Sequence, residues 1–133
     1  MPNYLLSWTA GVGTQCRGGN QRNCHWNDIK HALDDIKLNS GSVTVDIADG
    51  PEIGPQSLQV QSAGKYSVLS LGEDDGEDYF VRSFTNSKNL NQDQVDILGN
   101  LWDARIICTD FEIVICAFQE FFATGNVSQK LLS

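Results

Sequence analysis

Apolar and polar residues alternate with a period of two through the middle of the chain, and that alternation predicts strands whose side chains point in turn to opposite faces. In residues 42–48, Val43, Val45 and Ile47 lie on one side and Ser42, Thr44 and Asp46 on the other. In 57–61, Leu58 and Val60 alternate with Ser57, Gln59 and Gln61, and Ala63-Gly64 reverses the chain into KYSVLSL, 65–71. Residues 78–85, DYFVRSFT, carry large side chains on both faces. Joined by short connections, these segments predict an antiparallel meander of four strands, its last member central and covered on both sides.

The period changes on either side. In 24–38, Trp26, Ile29, Leu33 and Ile36 fall at spacings of three, four and three, opposed by Asp28, Lys30, Asp34, Asp35 and Lys37. That is one apolar helical stripe, with Asn23 as its expected N-cap and Asn39-Ser40-Gly41 as its stop. Near the C-terminus, Phe111, Val114, Ile115, Phe118, Phe121 and Phe122 recur at helical spacing and Gly125 closes the run, although Ile113-Val114-Ile115 by itself also suits a strand. Thr109 and Glu112 stand in the register of a capping box, where a hydroxyl and a carboxylate satisfy free helix amides. Residues 3–9 predict a first strand and 102–108 a further one. Residues 11–23, with Gly11, Gly13, Gly18 and Gly19, read as a Gly-rich loop, and 86–100 as a polar loop with a turn of helix at 92–98. The expected architecture is α+β: an antiparallel sheet of five to six strands packed with two main helices, in a single domain spanning residues 1–133.

Composition changes this picture only in its charge. Nine Lys and Arg stand against seventeen Asp and Glu, a net charge of -8. Such a surface repels nucleic-acid phosphates and anionic membranes and attracts basic partners, so direct contact with nucleic acid or membrane is not expected. The N-terminal MPNYLLSWTAG lacks the basic start and long apolar run of an export signal, which predicts a cytoplasmic protein with its four cysteines reduced. The triplet Asn126-Val127-Ser128 fits a glycosylation acceptor only by coincidence in that setting.

The negative charge is concentrated. LGEDDGEDYF, 71–80, holds five carboxylates, and no Lys or Arg lies between Lys65 and Arg82. In a meander, the connections 49–56 and 72–77 emerge at one end of the sheet, roughly 10 Å apart. Asp49 and Glu52 would then join Glu73, Asp74, Asp75, Glu77 and Asp78 on one acidic rim beside Tyr79. Two unit charges at that separation repel by only about 0.4 kcal/mol in water. The cluster is therefore cheap enough to be a solubilising loop, and it is also suited to meeting a basic surface. Its order of residues lacks the alternating ligands and distant glutamate of a calcium loop.

No reaction centre accompanies it. His25 and His31 are six apart on the first helix, on opposite faces rather than at the four-residue spacing of a shared metal. Cys16, Cys24 and His25 lack a second pair of ligands, while Cys108 and Cys116 sit in apolar runs. Gly11-Val12-Gly13 has neither the third glycine of a dinucleotide fingerprint nor the Lys-Ser/Thr of a phosphate loop. Neither cofactor nor metal is expected, and a binding protein is favoured over an enzyme.

The succession DYFVRSF, ILGNLWDAR, TDFEIVICAFQEFFATGNVS, with a weaker match at GGNQRNCHWNDI, resembles small bacterial immunity proteins of contact-dependent growth inhibition and related polymorphic toxin systems. The resemblance covers the C-terminal part of the chain and rests on overall pattern. It implies a small, acidic, non-catalytic cytoplasmic antitoxin that neutralises a cognate toxin domain, often a basic nuclease, by covering its active or substrate-binding surface. Combined with the charge pattern, the expected toxin-binding residues are Asp49, Glu52, Glu73, Asp74, Asp75, Glu77, Asp78 and Tyr79, with Ile53 as a further apolar anchor. Two other readings compete: a small ligand-binding or enzymatic domain using the 11–23 loop with Trp8, and a structural subunit that self-associates through an apolar sheet edge.

Overall fold

The computed structural model describes residues 3–11, 14, 16–85 and 94–132. In chain order these form β1 (Tyr4–Ala10), β2 (Arg17–Arg22), α1 (Trp26–Asn39), β3 (Gly41–Ile47), β4 (Gly54–Ala63), β5 (Tyr66–Asp74), β6 (Tyr79–Ser83), β7 (Gln94–Ile97), β8 (Asn100–Asp103), a 3-10 turn (Ala104–Ile106) and α2 (Phe111–Thr124). A six-stranded sheet in the order β2-β1-β3-β4-β5-β6 and a separate β7-β8 hairpin make up the strands, so the α+β architecture and the meander β3-β4-β5-β6 are as the alternation predicts. Every ladder is antiparallel.

Register explains where the core lies. Leu6 pairs with Val45, Val45 with Leu58, Leu58 with Leu71, and Leu71 with Arg82. These residues form one row across five strands, on one face because paired residues of neighbouring strands point the same way. A second row, Trp8, Val43, Val60 and Leu69, runs beside it. Both helices cover this face: Ile29, Leu33 and Ile36 of α1 and Val114, Ala117, Phe118 and Phe121 of α2 are all buried in one cluster with the sheet residues. Each buried Leu, Ile or Phe there contributes roughly 1.5–3 kcal/mol. Tyr4 joins the layers, its hydroxyl donating to the Phe121 carbonyl at 3.1 Å and its ring 5.0 Å from that of Phe122.

The opposite face is polar over β1, β3 and the middle of β4, where Ser7, Thr44 and Gln59 lie in one row. It is covered at the far end of β4 and β5, where Val68 is buried with Ile97 and Ile107, packed against Ala63 and Tyr66 of the sheet and Val95 and Trp102 of the β7-β8 hairpin.

Several elements differ from the expectation. Residues 17–22 of the Gly-rich segment are not loop but an edge strand paired with β1. All six are exposed, and a strand solvated on both faces has no apolar alternation to announce it. Val12 and Gly13 lie outside the described residues. Asn23, at φ 53, turns the chain out of β2, and the N-cap of the first helix is instead His25, whose N–H donates to Asp28 Oδ2 at 2.8 Å. The expected helical turn at 92–98 is strand over 94–97, where Val95 and Ile97 find the second core cluster, while 86–93 lies outside the described residues. The expected strand 102–108 breaks after Asp103 into the 3-10 turn; Cys108 then exchanges two backbone hydrogen bonds with Ser67, at 2.8 and 2.9 Å. The cap of α2 is Asp110 rather than Thr109, with Asp110 Oδ1 accepting from Glu112 N at 3.0 Å.

The largest correction concerns β6. It is the sheet's outer strand, not a central one, and Tyr79, Phe80 and Val81 are exposed. The β7-β8 hairpin, which would have to cover it, packs over Val68 instead.

Candidate functional site

Antiparallel order brings the β3-β4 connection, residues 48–53, and the β5-β6 connection, 75–78, to the same end of the sheet. They touch: a Cβ built on Gly76 would lie 3.3 Å from Ile53 Cδ1. The expected rim therefore exists, but its members divide by role.

Glu73 does not belong to it. The acidic run begins inside β5, and Glu73 shares the side of Leu69 and Leu71, facing the helices. Its Oε1 accepts from Arg82 Nη1 at 3.0 Å, and the guanidinium, buried to 8% exposure, also donates to the carbonyls of Val127 and Leu132 and to Asn126 Oδ1. This pair clamps the C-terminal segment to the sheet. Asp49 is likewise committed, accepting from Asn3 N and Asn3 Nδ2, both at 2.9 Å, and so tying the first loop to the entry of β1.

Two more carboxylates build the turn. Asp74 Oδ1 accepts from Gly76 N at 2.8 Å, and Asp75 Oδ1 accepts from Glu77 N at 2.9 Å and Asp78 N at 2.7 Å. Asp side chains that bond amides two or three residues on stabilise tight reversals, and Gly76, at φ 95, supplies the left-handed residue the turn requires. The hydrogen bonds from the Asp78 and Glu77 amides hold the Asp75 carboxyl below its ordinary value, so it stays ionised. Part of the Asp content is thus turn chemistry.

What remains is Glu52, Glu77 and Asp78, whose carboxylates have no hydrogen-bond or ion-pair partner among the described residues, together with the charges of Asp74 and Asp75. The four ion pairs of the described residues leave all five unneutralised by a cation. Apolar side chains adjoin them: Ile53 is 61% exposed, Tyr79 58% and Val81 57%. Tyr79 lies over Gly72, where a Cβ would meet its hydroxyl oxygen at 1.7 Å, so only glycine lets the ring rest against the strand. Tyr79, Val81 and Asp74 share the open face of the sheet, since Asp74 pairs with Tyr79 and Gly72 with Val81. Val81 was not among the expected site residues. The Asp75-Gly76 pair signalled a turn, but the register follows from its being a four-residue reversal, 75–78, centred between Gly76 and Glu77, which puts Glu73 opposite Phe80 and sorts every neighbour by face.

Elsewhere the expected alternatives are weaker. A groove of about 350 Å³ between β2 and α1 is lined by Trp8, Arg17, Gln21, Asp28, His31 and Asp35. Its polar groups largely satisfy one another, Arg17 Nη2 with Asp35 Oδ1 at 2.5 Å and Gln21 Nε2 with Asp28 Oδ2 at 3.1 Å. Among the described residues, no three His, Cys, Asp or Glu side chains converge in a metal-binding group. Burial raises the Cys24 and Cys108 thiols above their ordinary value, which makes them poor nucleophiles. No helix among the described residues is long and apolar enough to cross a membrane.

The chain matches a family of unknown function, DUF6911, over residues 7–131, and it belongs to that family. No curated protein matches it. Among solved structures it is similar to a hypothetical protein from Neisseria gonorrhoeae, with a TM-score of 0.75 at 14% identity, covering 95% of this chain and 91% of that one. At that identity the likeness speaks for the fold alone.

Proposed function

We propose that this member of the DUF6911 family is a non-catalytic binding protein that captures a cationic protein partner at the rim of its sheet, and that the partner is a basic toxin domain neutralised in the cytoplasm in the manner of an immunity protein. One observation carries the binding reading: five carboxylates that no cation neutralises among the described residues stand at one end of the sheet beside exposed Ile53, Tyr79 and Val81. Charge of one sign steers encounter and rejects wrong partners, while aromatic and aliphatic anchors supply the desolvated centre that slows dissociation. The immunity assignment rests on the resemblance of the C-terminal segments and on the acidic balance of the whole chain.

The experiment uses Glu52→Lys/Glu77→Lys/Asp78→Lys, which reverses the carboxylates that have no part in the turn. Such exposed changes usually alter stability by less than about 0.5 kcal/mol. The probe is the C-terminal domain of a large secreted protein encoded immediately upstream, expressed with and without this chain. The wild-type chain should rescue growth and bind with a salt-dependent association rate. The triple variant should associate more slowly and lose most of that salt dependence. Full protection and unchanged kinetics by the variant would eliminate the rim as the interface.

A further inference from the structure

The two edges of the six-stranded sheet are built differently. β2 ends it with Arg17-Gly18-Gly19-Asn20-Gln21-Arg22, polar along its length and tied to α1 through Arg17 and Gln21. Charge and glycine on an outer strand discourage pairing with another chain. β6 ends the sheet with Tyr79-Phe80-Val81-Arg82-Ser83, and its only cation is turned inward to Glu73 and the C-terminal carbonyls.

The backbone groups of β6 that face away from β5 can be assigned. Asp75 N donates to Asp78 O at 3.0 Å, and the β5-β6 register continues from that pair without a slip. Hydrogen-bonded and non-hydrogen-bonded pairs alternate along an antiparallel ladder, so Glu73/Phe80 and Leu71/Arg82 are bonded pairs. Tyr79, Val81 and Ser83 therefore direct their N–H and C=O groups away from β5, and no described residue takes up those groups. Each is an obligatory hydrogen-bonding group that has no partner among the described residues.

We infer that β6 is a docking edge, which takes an extended Lys- or Arg-bearing segment of a partner protein as an added antiparallel or parallel strand. This deepens, and rests on, the reading of the rim as the binding surface. Backbone bonds at Tyr79, Val81 and Ser83 supply the ladder. Side chains on the open face of the added strand pack beside Tyr79 and Val81, and cations on it reach Asp74, Glu77 and Asp78 at the strand's start. Charge selects the occupant: a second copy of this chain would bring another net charge of -8 to the same edge, whereas a basic segment is attracted to it.

The test reads amide hydrogen exchange by NMR, with a peptide of alternating valine and lysine of about 6 residues, the usual strand length, as probe. In the free protein the amides of Phe80 and Arg82 should exchange slowly and those of Tyr79, Val81 and Ser83 fast. With peptide, the latter three should become protected. The same peptide N-methylated at every residue, which has no backbone donor on either edge and cannot complete the ladder, should not bind. Val81→Pro removes an outward donor and no internal ladder bond. It should weaken peptide binding by about tenfold or more, with the fold intact by circular dichroism. Binding without protection of those amides, or equal binding of the N-methylated peptide, would overturn strand addition while leaving the rim reading in place. No binding of either peptide at low salt also overturns it. Protection that grows with protein concentration in the absence of peptide, with a doubled mass, assigns the edge to a second copy and equally overturns it. Conversely, ladder formation that survives Glu52→Lys/Glu77→Lys/Asp78→Lys unchanged would sink the rim reading and spare the edge.

Discussion

Replacing Arg82 by methionine keeps an apolar stem of similar reach and removes the guanidinium from the end of the Leu6-Val45-Leu58-Leu71 row. In the native fold that group donates to Glu73 Oε1, Asn126 Oδ1, Val127 O and twice to Leu132 O, at distances of 2.6 to 3.1 Å. The variant leaves two buried carbonyls without their donor, at about 1–3 kcal/mol each, and a carboxylate without its cation. Glu73 is 22% exposed and regains some water, and the C-terminal segment can lift to rehydrate its carbonyls, so these costs do not simply add. A net loss of about 3–5 kcal/mol is expected, the range for removing one partner of a buried ion pair. For a chain of this size that lowers the melting temperature by about 10–15 °C.

Circular dichroism melts and urea titrations at pH 7 measure that loss, and hydrogen exchange at the amides of Leu131 and Leu132, which bond to Ser128 O, shows whether the C-terminal segment opens first. Arg82→Met/Glu73→Gln should recover part of the deficit, because the stranded carboxylate is gone. A fall of less than about 3 °C for Arg82→Met would mean that the clamp contributes little. Strict additivity of the double variant would show that Glu73 and Arg82 do not stabilise one another.

Two further outcomes check the local assignments. Asp110→Ala should cost about 1 kcal/mol by removing the cap of α2, whereas Thr109→Ala, at the neighbouring position, should leave the urea midpoint unchanged. Burial raises the Asp46 carboxyl above its ordinary value of 3.8, so the folded protein holds that proton more tightly than the unfolded chain and ionisation weighs against folding. Asp46→Asn should therefore raise the melting temperature at pH 7, and the gain should shrink as the pH is lowered through the folded pKa towards 3.8.

The elements that bury one face could be read along the chain, because burial imposes a period. Val43-Val45-Ile47 and Leu58-Val60 identify half-buried strands, and Ile29-Leu33-Ile36 identifies a helix, without knowledge of any neighbour. The crowding of carboxylates at 73–78 was equally visible, as was the end of the sheet it occupies, since consecutive antiparallel strands alternate in direction.

Periodicity says which way a side chain points; it does not say which strand lies next door. Only the assembled sheet decided that polar, glycine-bearing 17–22 is a strand held by β1, and that β6 ends the sheet rather than filling its middle. Cross-strand register likewise set the fate of individual charges. One residue's difference in position turns Glu73 inward to Arg82 and Asp74 outward to the open face, a distinction that depends on where the turn is centred and what packs beneath it. Hydrogen-bond partners and neighbouring surfaces are properties of chain segments brought together across long separations, and local pattern carries no record of them.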